Sequence, residues 1–367
     1  MRISVLQELL DKNGEEAIFL TSRRNIFYIS GYDTDPHERV VGIYVPSSTE
    51  FKPVMILPSM EVNDARQSGW SHDIIAYQDQ SNPWDLFSTY LQENKQIPTQ
   101  IALEKDHLTV SRQEQLKNFF PNVTWSRGDE YLQNLRVQKD KKEYTLMKQA
   151  AALADLGVKI GIESLAKGKT ELEIVADIEY GLKKQGIREM SFSTLVLFGE
   201  NTSSPHGTPG KNTLQDNQFV LFDLGVVFEG YCSDITRTVF YGTPTEEQKK
   251  IYEIVKEAQQ FAINECKLDT PIGVIDKAAR NYIEDAGYGD YFPHRIGHGI
   301  GVDVHEYPSI HQDNTLLVKE GMAFTIEPGI YIQGHGGVRI EDQIYMTDKG
   351  PEILNQIPKE LQLIMPK

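Results

Sequence analysis

The stretch FVLFDLGVVFEGYCSDITRTVFYG, residues 219–242, places two acids inside segments that otherwise have the composition of buried strands. Asp223 follows the apolar run VLF, and Asp234 precedes the β-rich run ITRTVF. A glycine-containing turn joins the two runs, so the stretch predicts an antiparallel hairpin. A hairpin brings its two acids close together. Because an unpaired buried carboxylate is costly, each acid must be protonated, ion-paired or bound to a metal ion.

A second pair of apolar segments carries the same feature nearer the C-terminus. Glu327 lies in MAFTIEPGIYI, residues 322–332, and Glu341 lies in GVRIEDQIYM, residues 337–346. One buried acid paired with an arginine is common in proteins, so either acid alone would favour a structural ion pair. Two hairpins that face each other across a twisted sheet could instead bring all the carboxylates together, and only bound cations would tolerate that arrangement.

The glycine-rich stretch HRIGHGIGVDVHE, residues 294–306, contains three histidines. His294 and His298 have the i, i+4 spacing of a zinc-binding helix, but the glycines between and after them disfavour a helix. These glycines indicate an extended or turning backbone that passes close to other groups. In an extended chain the two histidines would face the same way, so spacing alone does not identify a metal ligand.

Composition narrows the class of protein. The chain has 367 residues, a length typical of two domains, and its formal net charge of -16 argues against nucleic acid as a partner. Cys232 and Cys266 are too few for a disulfide framework, and residues 1–16 are charged and amphipathic, unlike a signal peptide. No apolar run approaches the roughly 20 residues of a membrane helix. These features predict a cytoplasmic protein that binds neither membranes nor nucleic acids.

The order of the predicted elements indicates two domains of different type. Short β-rich runs in the first third (EEAIFL, VVGIYVP, FKPVMILP and QIALEKD) alternate with helical stretches, which is typical of an α/β domain. A long helix is then expected over residues 139–167, and the rest of the chain combines helices with the two strand pairs. We place the junction around residues 125–140 and expect domains at 1–130 and 131–367.

Helix ends can also be placed in the second domain. Thr170 with Glu173, and Thr245 with Gln248, have the spacing of a capping box, in which each side chain accepts a hydrogen bond from the other residue's backbone. A further helix is expected over PIGVIDKAARNYIEDAG, with Gly287 as its C-terminal stop.

The acids and histidines, taken in chain order, match a known family. The matching positions are Asp223, Asp234 eleven residues later, His298 in GHGIG, Glu327 in TIEPG and Glu341 in RIED. The chain resembles the metal-dependent Xaa-Pro peptidases of the pita-bread fold (family M24), most closely the bacterial Xaa-Pro dipeptidases, or prolidases. The resemblance implies an α/β two-domain chain: a small N-terminal creatinase-like α/β domain and a C-terminal pita-bread α+β domain with a curved antiparallel sheet.

The resemblance also implies how two divalent metal ions would be bound. Asp234 and Glu341 would bridge the two ions. Asp223 would complete the coordination of one ion, and His298 with Glu327 would complete that of the other. An oxygen-rich set of this kind suits Mn²⁺, with Co²⁺ or Zn²⁺ able to compete by affinity.

The reaction implied by the resemblance is hydrolysis of Xaa-Pro dipeptides with release of free proline. A hydroxide activated by the two ions would attack the carbonyl carbon before proline. Glu327 would carry the proton of the attacking water to the proline nitrogen, while His305 and His206, in SSPHG, would stabilise the tetrahedral intermediate. For His294 we expect a different role, that of a hydrogen-bonded structural histidine.

Five further residues are expected near the site. The carboxylate of a dipeptide substrate requires a cation, and the candidates are Arg295 and Arg39, although an exposed arginine is most often a solvated surface charge. Side chains that orient the metal ligands are expected at Arg339, Thr236 and Thr325.

Two alternatives share parts of this pattern. An aminopeptidase P, which removes the N-terminal residue from longer Xaa-Pro peptides, has the same ligands and differs in how the site is closed beyond proline. A non-catalytic pita-bread binding module loses metal ligands, whereas none is missing here. The resemblance also implies a homodimer, in which the polar loop GYDTDPHER, residues 31–39, closes over the partner's site. An ordinary surface loop is the alternative for this segment.

Overall fold

The computed structural model of the chain describes residues 2–365. The chain divides into two compact units, Met1–Arg136 and Val137–Lys367. Each unit has its own hydrophobic core, as expected of a domain. Within the described part, no helix is long and apolar enough to cross a membrane.

The first unit combines a mixed β-sheet with helices. Its strands are β1 (Ala17–Leu20), β2 (Gly42–Pro46), β3 (Val54–Pro58), β4 (Asp73–Tyr77), β5 (Gln100–Leu103) and β6 (Thr124–Arg127). Its helices are α1 (Arg2–Lys12), α2 (Arg23–Ser30), α3 (Val62–Gln67), α4 (Pro83–Glu93), α5 (Val110–Phe119) and α6 (Asp129–Arg136). The strand order is β4-β3-β2-β1-β5-β6, with antiparallel pairing of β2 to both β1 and β3 and parallel pairing elsewhere.

Local sequence explains these elements. Strands β1, β2 and β3 are short apolar runs that are buried along their whole length. Helices α2, α4 and α5 follow Ser22, Asn82 and Thr109, whose side chains accept hydrogen bonds from amides of the first turn. In the core, the rings of Phe19 and Phe87 stack with centroids 5.4 Å apart. The prediction of an α/β domain in the first third is confirmed.

The second unit begins with the long predicted helix. Its helices are α7 (Lys141–Ser164), α8 (Glu171–Lys184), α9 (Glu246–Asn264) and α10 (Gly273–Asp285), with short 3-10 turns at Gly199–Ser203 and Gly289–Tyr291. Helix α7 starts two residues later than the sequence pattern indicates, because Asp140 caps it and forms a capping box with Glu143.

The other predicted helix ends are present. Thr170 with Glu173 begins α8, and Thr245 with Gln248 begins α9, each as a capping box with both hydrogen bonds formed. Gly287, just beyond α10, has a φ of 88°, the left-handed conformation in which a glycine commonly ends a helix.

The remaining chain of this unit forms short strands. They are β7 (Glu189–Met190), β8 (Leu195–Phe198), β9 (Gln218–Leu224), β10 (Val226–Phe228), β11 (Tyr231–Cys232), β12 (Ile235–Tyr241), β13 (Gly297–Gly299), β14 (Glu306–Ile310), β15 (Ala323–Ile326), β16 (Gly329–Ile332), β17 (Gly336–Arg339), β18 (Asp342–Thr347), β19 (Gly350–Ile353) and β20 (Leu363–Ile364). The larger sheets have the orders β20-β12-β9-β8 and β14-β13-β15-β18-β19.

Both predicted hairpins are present, and each is interrupted near its acids. β9 pairs antiparallel with β12, and beyond Gly225 the chain continues as the pair β10–β11 in another sheet. β15 pairs antiparallel with β18, and beyond Pro328 the chain continues as the separate pair β16–β17. The two hairpins are therefore bent, and their acids lie at or beside the bends.

Helices support the hairpins through two hydrophobic clusters. α9 and α10 pack into one cluster with β15, β16, β17 and β18. α7 and α8 pack into the other with β9 and β12. The close approach of α7 requires glycine, because a Cβ at Gly161 would lie 2.7 Å from the ring of Phe222. This packing supports both hairpins and therefore helps to position the acids at their bends.

Candidate active site

The bends of the hairpins and strand β13 bring five potential metal ligands together. Asp223 lies near the end of β9, Asp234 directly before β12, Glu327 directly after β15, Glu341 directly before β18, and His298 on β13. Their ligand atoms form groups in which all atoms lie within 4.8 Å of one another: Asp223 with Asp234 and Glu341, and His298 with Glu327 and Glu341. A further group joins Asp234, His298 and His305.

Burial and mutual repulsion raise the pKa values of acids in this cluster. Burial raises the pKa of Asp234 and of Glu341 well above the ordinary value, and the charges of neighbouring carboxylates raise both further. Burial also raises the pKa of Glu327 to about 7. Among the described residues, the only Lys or Arg ion pair to these acids joins Arg339 to Asp223. The cluster therefore holds more negative charge than the surrounding protein balances.

Three buried oxygens of the cluster lack a hydrogen-bond donor in the described part of the chain. They are Asp223 Oδ1, Asp234 Oδ1 and Glu341 Oε1. Buried carboxylate oxygens are nearly always hydrogen-bonded, so three such atoms in one place require another partner. Carboxylate oxygens together with one imidazole suit hard divalent cations. The residues present therefore fit the metal ions that the sequence predicts.

His298 presents one ring nitrogen to the acids. Its Nδ1 lies 3.1 Å from the carbonyl oxygen of Gly299 and donates to it, which leaves the lone pair of Nε2 available. Nε2 lies 3.4 Å from Glu327 Oε1 and 3.7 Å from Asp234 Oδ2. Burial and the nearby His305 lower the pKa of His298 to about 3, so the ring is neutral, as a metal ligand must be.

The glycines around His298 serve close backbone packing. A Cβ at Gly297 would overlap the carbonyl oxygen of Thr325 on β15, and one at Gly299 would overlap that of Tyr307. Only glycine allows β13 to lie between these neighbouring segments. The GHG sequence therefore brings the His298 ring to the acids through tight strand packing.

Arg339 connects two acids of the cluster. Its NH2 group donates to Asp223 Oδ2 at 2.6 Å, and its Nε donates to Thr236 Oγ1 at 3.0 Å. Thr236 Oγ1 in turn donates to Glu341 Oε2 at 2.7 Å. On the other hairpin, Thr325 Oγ1 accepts the N–H of His298 at 3.2 Å and lies 3.4 Å from Glu327 Oε1. All three side chains are buried and contact cluster residues directly.

His294 does not face the acids as His298 does. Its Nδ1 lies 2.8 Å from the carbonyl oxygen of Arg295, and its Nε2 lies 2.9 Å from the hydroxyl of Tyr331. Burial lowers the pKa of His294 to about 4, so the ring is neutral and Nε2 accepts the Tyr331 hydroxyl proton. Tyr331 itself accepts from Arg339 NH1 at 2.9 Å. His294 is thus held in a hydrogen-bond chain that ends at Asp223.

An open cavity of about 690 Å³ lies beside the acids, large enough for a small peptide. Its apolar wall includes Phe192, Leu195 and Pro205, and two histidines, His206 and His305, also line it. The ring of His305 lies edge to face with that of His298, with centroids 4.1 Å apart. Burial lowers the pKa of His305, so a neutral imidazole that can donate one hydrogen bond lies at the acids.

The two candidate carboxylate-binding arginines differ in their contacts. Arg295 lines the cavity, is exposed, and donates from NH1 to Ser309 Oγ at 2.9 Å, with no acid in ion-pair contact among the described residues. Arg39 lies in the first unit and forms a two-bond ion pair with Asp79, at 2.9 and 3.2 Å. The guanidinium of Arg295 is therefore more available to a ligand than that of Arg39.

Comparison with known proteins identifies the family. Residues 145–348 match metallopeptidase family M24, and residues 2–138 match the creatinase/prolidase N-terminal domain. The chain belongs to family M24. It is 48% identical over 363 residues, 99% of both chains, to "Putative dipeptidase YkvY" of Bacillus subtilis (strain 168).

Two solved structures have the same fold as this chain. The recombinant prolidase from Thermococcus sibiricus is 35% identical with a TM-score of 0.93, over 99% of this chain and 98% of that one. The Xaa-Pro dipeptidase from Bacillus anthracis is 31% identical with a TM-score of 0.92, over 99% of both chains. These matches confirm the predicted fold, a creatinase-like domain followed by a pita-bread domain, and the predicted enzyme class, a peptidase.

Two residues of this M24 site were not found by sequence reasoning. Tyr331 links Arg339 to His294, and Gln343 accepts the backbone N–H of Asp234 at its Oε1, at 3.2 Å. Gln343 could have been suspected, because it is a polar residue in an apolar strand, as the acids are. Tyr331 carries no such signal, since tyrosine is common in strands.

Proposed function

We propose that this M24 protein hydrolyses the Xaa-Pro bond of dipeptides and releases free proline. The observation that carries the proposal is the group of buried acids with donor-free oxygens beside a cavity with an available arginine, Arg295. The solved relatives named as a prolidase and an Xaa-Pro dipeptidase support the same substrate class.

Two divalent ions at this site, Mn²⁺ in our proposal, would supply an activated water molecule and polarise the scissile carbonyl. Asp234 and Glu341 would be shared between the ions. Asp223 would bind one of them, and His298 with Glu327 would bind the other. Co²⁺ or Zn²⁺ would also suit this mixture of carboxylate and imidazole ligands.

The chain's own side chains have separate tasks in the proposed reaction. The Xaa-Pro bond is a tertiary amide, so the proline nitrogen must gain a proton as it leaves. We assign this proton transfer to Glu327, which belongs to the ligand cluster and also lines the cavity. His305 and His206 would donate hydrogen bonds to the oxygen that becomes negative during attack. Arg339, Thr236 and Thr325 would hold the acids in position.

A dipeptide substrate requires a partner for its carboxylate. We assign this role to Arg295, because its contact to Ser309 leaves most of its donors available at the cavity. Arg39 is the second candidate, and it would first have to leave Asp79. An arginine that binds the carboxylate directly beyond proline would favour dipeptides over longer peptides, in which that position is an amide.

Assembly and location complete the proposal. We propose a homodimer in which the loop at residues 31–39 of one subunit closes over the site of its partner. We also propose a cytoplasmic location, in keeping with the two cysteines, both buried thiols.

The test is cleavage of Leu-Pro, Leu-Pro-amide and Leu-Pro-Pro-Ala by metal-stripped protein, before and after addition of Mn²⁺. We expect Mn²⁺-dependent release of proline from Leu-Pro, and weak activity on the two substrates without a carboxylate next to the first proline. Preferential removal of Leu from the tetrapeptide would contradict the dipeptidase assignment and favour an aminopeptidase P. No cleavage, with no near-stoichiometric Mn²⁺ binding, would favour a binding module.

Arg295→Gln sharpens this test, with Arg188→Gln as the matched control. Arg188 is an exposed arginine of the same unit that does not line the cavity. Loss of a charged hydrogen bond predicts that KM for Leu-Pro rises about tenfold to a hundredfold in Arg295→Gln. KM for Leu-Pro-amide should not change in either variant. An equal rise for both substrates would rule out recognition of the carboxylate by Arg295.

A further inference from the structure

Glu171, the first residue of α8, has a carboxylate with no solvent exposure. Its Oε1 accepts hydrogen bonds from the N–H of Phe198 at 2.9 Å and from Asn201 Nδ2 at 3.0 Å. Its Oε2 accepts from the N–H of Gly210 at 2.7 Å and from Asn201 Nδ2 at 3.2 Å. In the part of the chain that the structure describes, no lysine or arginine pairs with Glu171. Neutral donors alone therefore satisfy this buried acid.

The donors to Glu171 bracket one loop. Phe198 directly precedes residues 199–209, which we call the His206 loop, and Gly210 directly follows them. The third donor, Asn201, lies within the loop. Both ends of the loop are thus fastened to the same carboxylate.

The His206 loop forms one wall of the cavity beside the acids. Its residues 205–209, including His206, line the cavity. On its other side, Thr202 Oγ1 accepts the N–H of Gly337 on β17 at 2.7 Å, and Arg339 NH1 approaches the carbonyl oxygen of Pro205 at 3.4 Å. The loop is therefore held between Glu171 and the hairpin that carries Glu341.

A carboxylate at position 171 suits this task better than an amide would. Among the described residues, the groups hydrogen-bonded to the two oxygens are all N–H donors, so both oxygens must accept. A glutamine would direct its NH₂ group at one of these N–H donors, and at least one end of the loop would lose its hydrogen bond to the side chain of residue 171. Hydrogen bonds to an ionised acceptor are also stronger than those to a neutral one.

We infer that Glu171 is a positioning residue that holds the His206 loop and thereby keeps His206 in place at the cavity. The inference rests on the proposed function, because His206 there stabilises the reacting oxygen. A displacement of a catalytic group by about 1 Å can lower the rate about a hundredfold. Loss of the Glu171 bond at one end of the loop would therefore slow turnover and leave the metal ligands unchanged.

The first test measures the loop itself and does not depend on activity. Amide hydrogen exchange over residues 198–210 should be at least about tenfold faster in Glu171→Gln, because protection follows local opening. Asn201→Ala, a milder change, should accelerate exchange in the same segment to a smaller degree. Unchanged exchange in both variants would overturn the inference.

Two control variants separate this effect from general loss of stability. Glu173→Gln makes the same chemical change in the first turn of α8, but Glu173 is exposed, and within the described part of the chain its carboxylate hydrogen-bonds only to Thr170. Ile178→Val removes a buried methyl group from α8 and touches no bond to the loop. Neither control should accelerate exchange selectively at residues 198–210. Selective acceleration in Ile178→Val would mean that any weakening of α8 releases the loop, which would overturn the inference.

The second test asks whether Glu171 acts through His206. In a double-mutant cycle on Leu-Pro with Mn²⁺, Glu171→Gln should lower kcat about tenfold in the native background and less than about twofold in His206→Ala. Mn²⁺ affinity should stay within about twofold. Equal losses in both backgrounds would overturn action through His206. If the native protein cleaves no Xaa-Pro peptide, the proposed function fails, while hydrogen exchange still decides whether Glu171 holds the loop.

Discussion

Glu341 and Asp342 are neighbours in sequence but belong to two buried acid groups with opposite charge balance. Asp342 lies 2.6 Å from the NH2 group of Arg237 and 2.7 Å from Lys359 Nζ. Burial alone would raise the pKa of Asp342, but Arg237 and Lys359 lower it below its ordinary value. Among the described residues, the carboxylate of Glu341 accepts a hydrogen bond only from Thr236, and burial with the neighbouring acids raises its pKa well above the ordinary value.

The difference distinguishes two reasons for burying an acid. Asp342 has cations within the chain, so its charge contributes to the fold in the absence of any ligand. The chain provides too few cations for the other group, which consists of Glu341, Asp234 and Asp223. The charges of these acids therefore weaken the metal-free fold and become favourable when external cations bind. Identical substitutions in the two groups should therefore have opposite effects on stability.

The largest effect is expected for Asp234→Asn, on activity. Loss of a ligand shared by both proposed metal sites should lower kcat/KM on Leu-Pro at least about a thousandfold, or about 4 kcal/mol. The metal-free variant should not be less stable than the native protein, because the buried Oδ1 of Asp234 has no donor among the residues that the structure describes. A gain on the order of 1 kcal/mol is expected, since a buried repulsion is removed.

Activity with Mn²⁺ and urea unfolding in EDTA measure the two halves of this prediction. A marked loss of metal-free stability in Asp234→Asn would show that the carboxylate has a favourable partner within the chain. That result would remove the contrast between the two acid groups.

The second effect is expected for Asp342→Asn, on stability. The same change of acid to amide should lower the free energy of unfolding by about 3 kcal/mol or more, because Arg237 loses the acid with which it pairs in the interior. Far-UV circular dichroism during urea unfolding is the measurement. A loss below about 1 kcal/mol would contradict a structural role for this ion pair.

Tryptophan fluorescence provides an internal control for these unfolding experiments. Trp70, Trp84 and Trp125 are the tryptophans of the chain, and all lie in the first unit. Fluorescence therefore reports on unfolding of the first unit, and circular dichroism reports on helices of both units. A substitution in the second unit that shifts only the circular dichroism transition acts locally.

The buried acids of the proposed metal site could be recognised from sequence, whereas the structural role of Asp342 could not. Glu341 and Asp342 both lie in an apolar strand segment. Because side chains alternate along a strand, the sequence predicts only that the two acids face opposite sides of the sheet. Which side contains a cation depends on Arg237 and Lys359, residues far from them in sequence that reach Asp342 only in the folded chain. The choice of Glu341 over Asp342 as the candidate ligand came from the family resemblance, which local sequences such as RIED indicate.

The fold could be predicted where strands are fully buried and not where they are at an edge. Strands β1, β2, β3 and β5 are apolar runs from the interior of the sheet, and the sequence predicts all of them. The unpredicted β4 and β6 are its two edge strands, and both are partly exposed. Glu171 shows the same limit, because the sequence predicts the start of α8 but not the contacts of Glu171 to residues 198–210.

The smallest effect, a dependence of Mn²⁺ affinity on pH, tests the charge balance directly. In the metal-free protein the raised pKa of Asp234 and Glu341, and a pKa of about 7 for Glu327, mean that protons occupy the acids near pH 6. Metal ions must displace these protons, so the affinity for Mn²⁺ should rise with pH. For each proton displaced, the rise should be up to about tenfold per pH unit, which corresponds to about 1.4 kcal/mol. His298, with a pKa of about 3, is already neutral and releases none.

Titration calorimetry in two buffers of different ionisation enthalpy counts the released protons. More protons should be released at pH 6 than at pH 8, because the acids lose part of their protons to solvent as pH rises through 7. The lowered pKa of Asp342 keeps that acid ionised throughout this range, so it contributes nothing to the count. Absence of proton release at both pH values would show that the cluster is not protonated when metal-free. Its charges would then be balanced by groups of the chain, as those of the Asp342 group are.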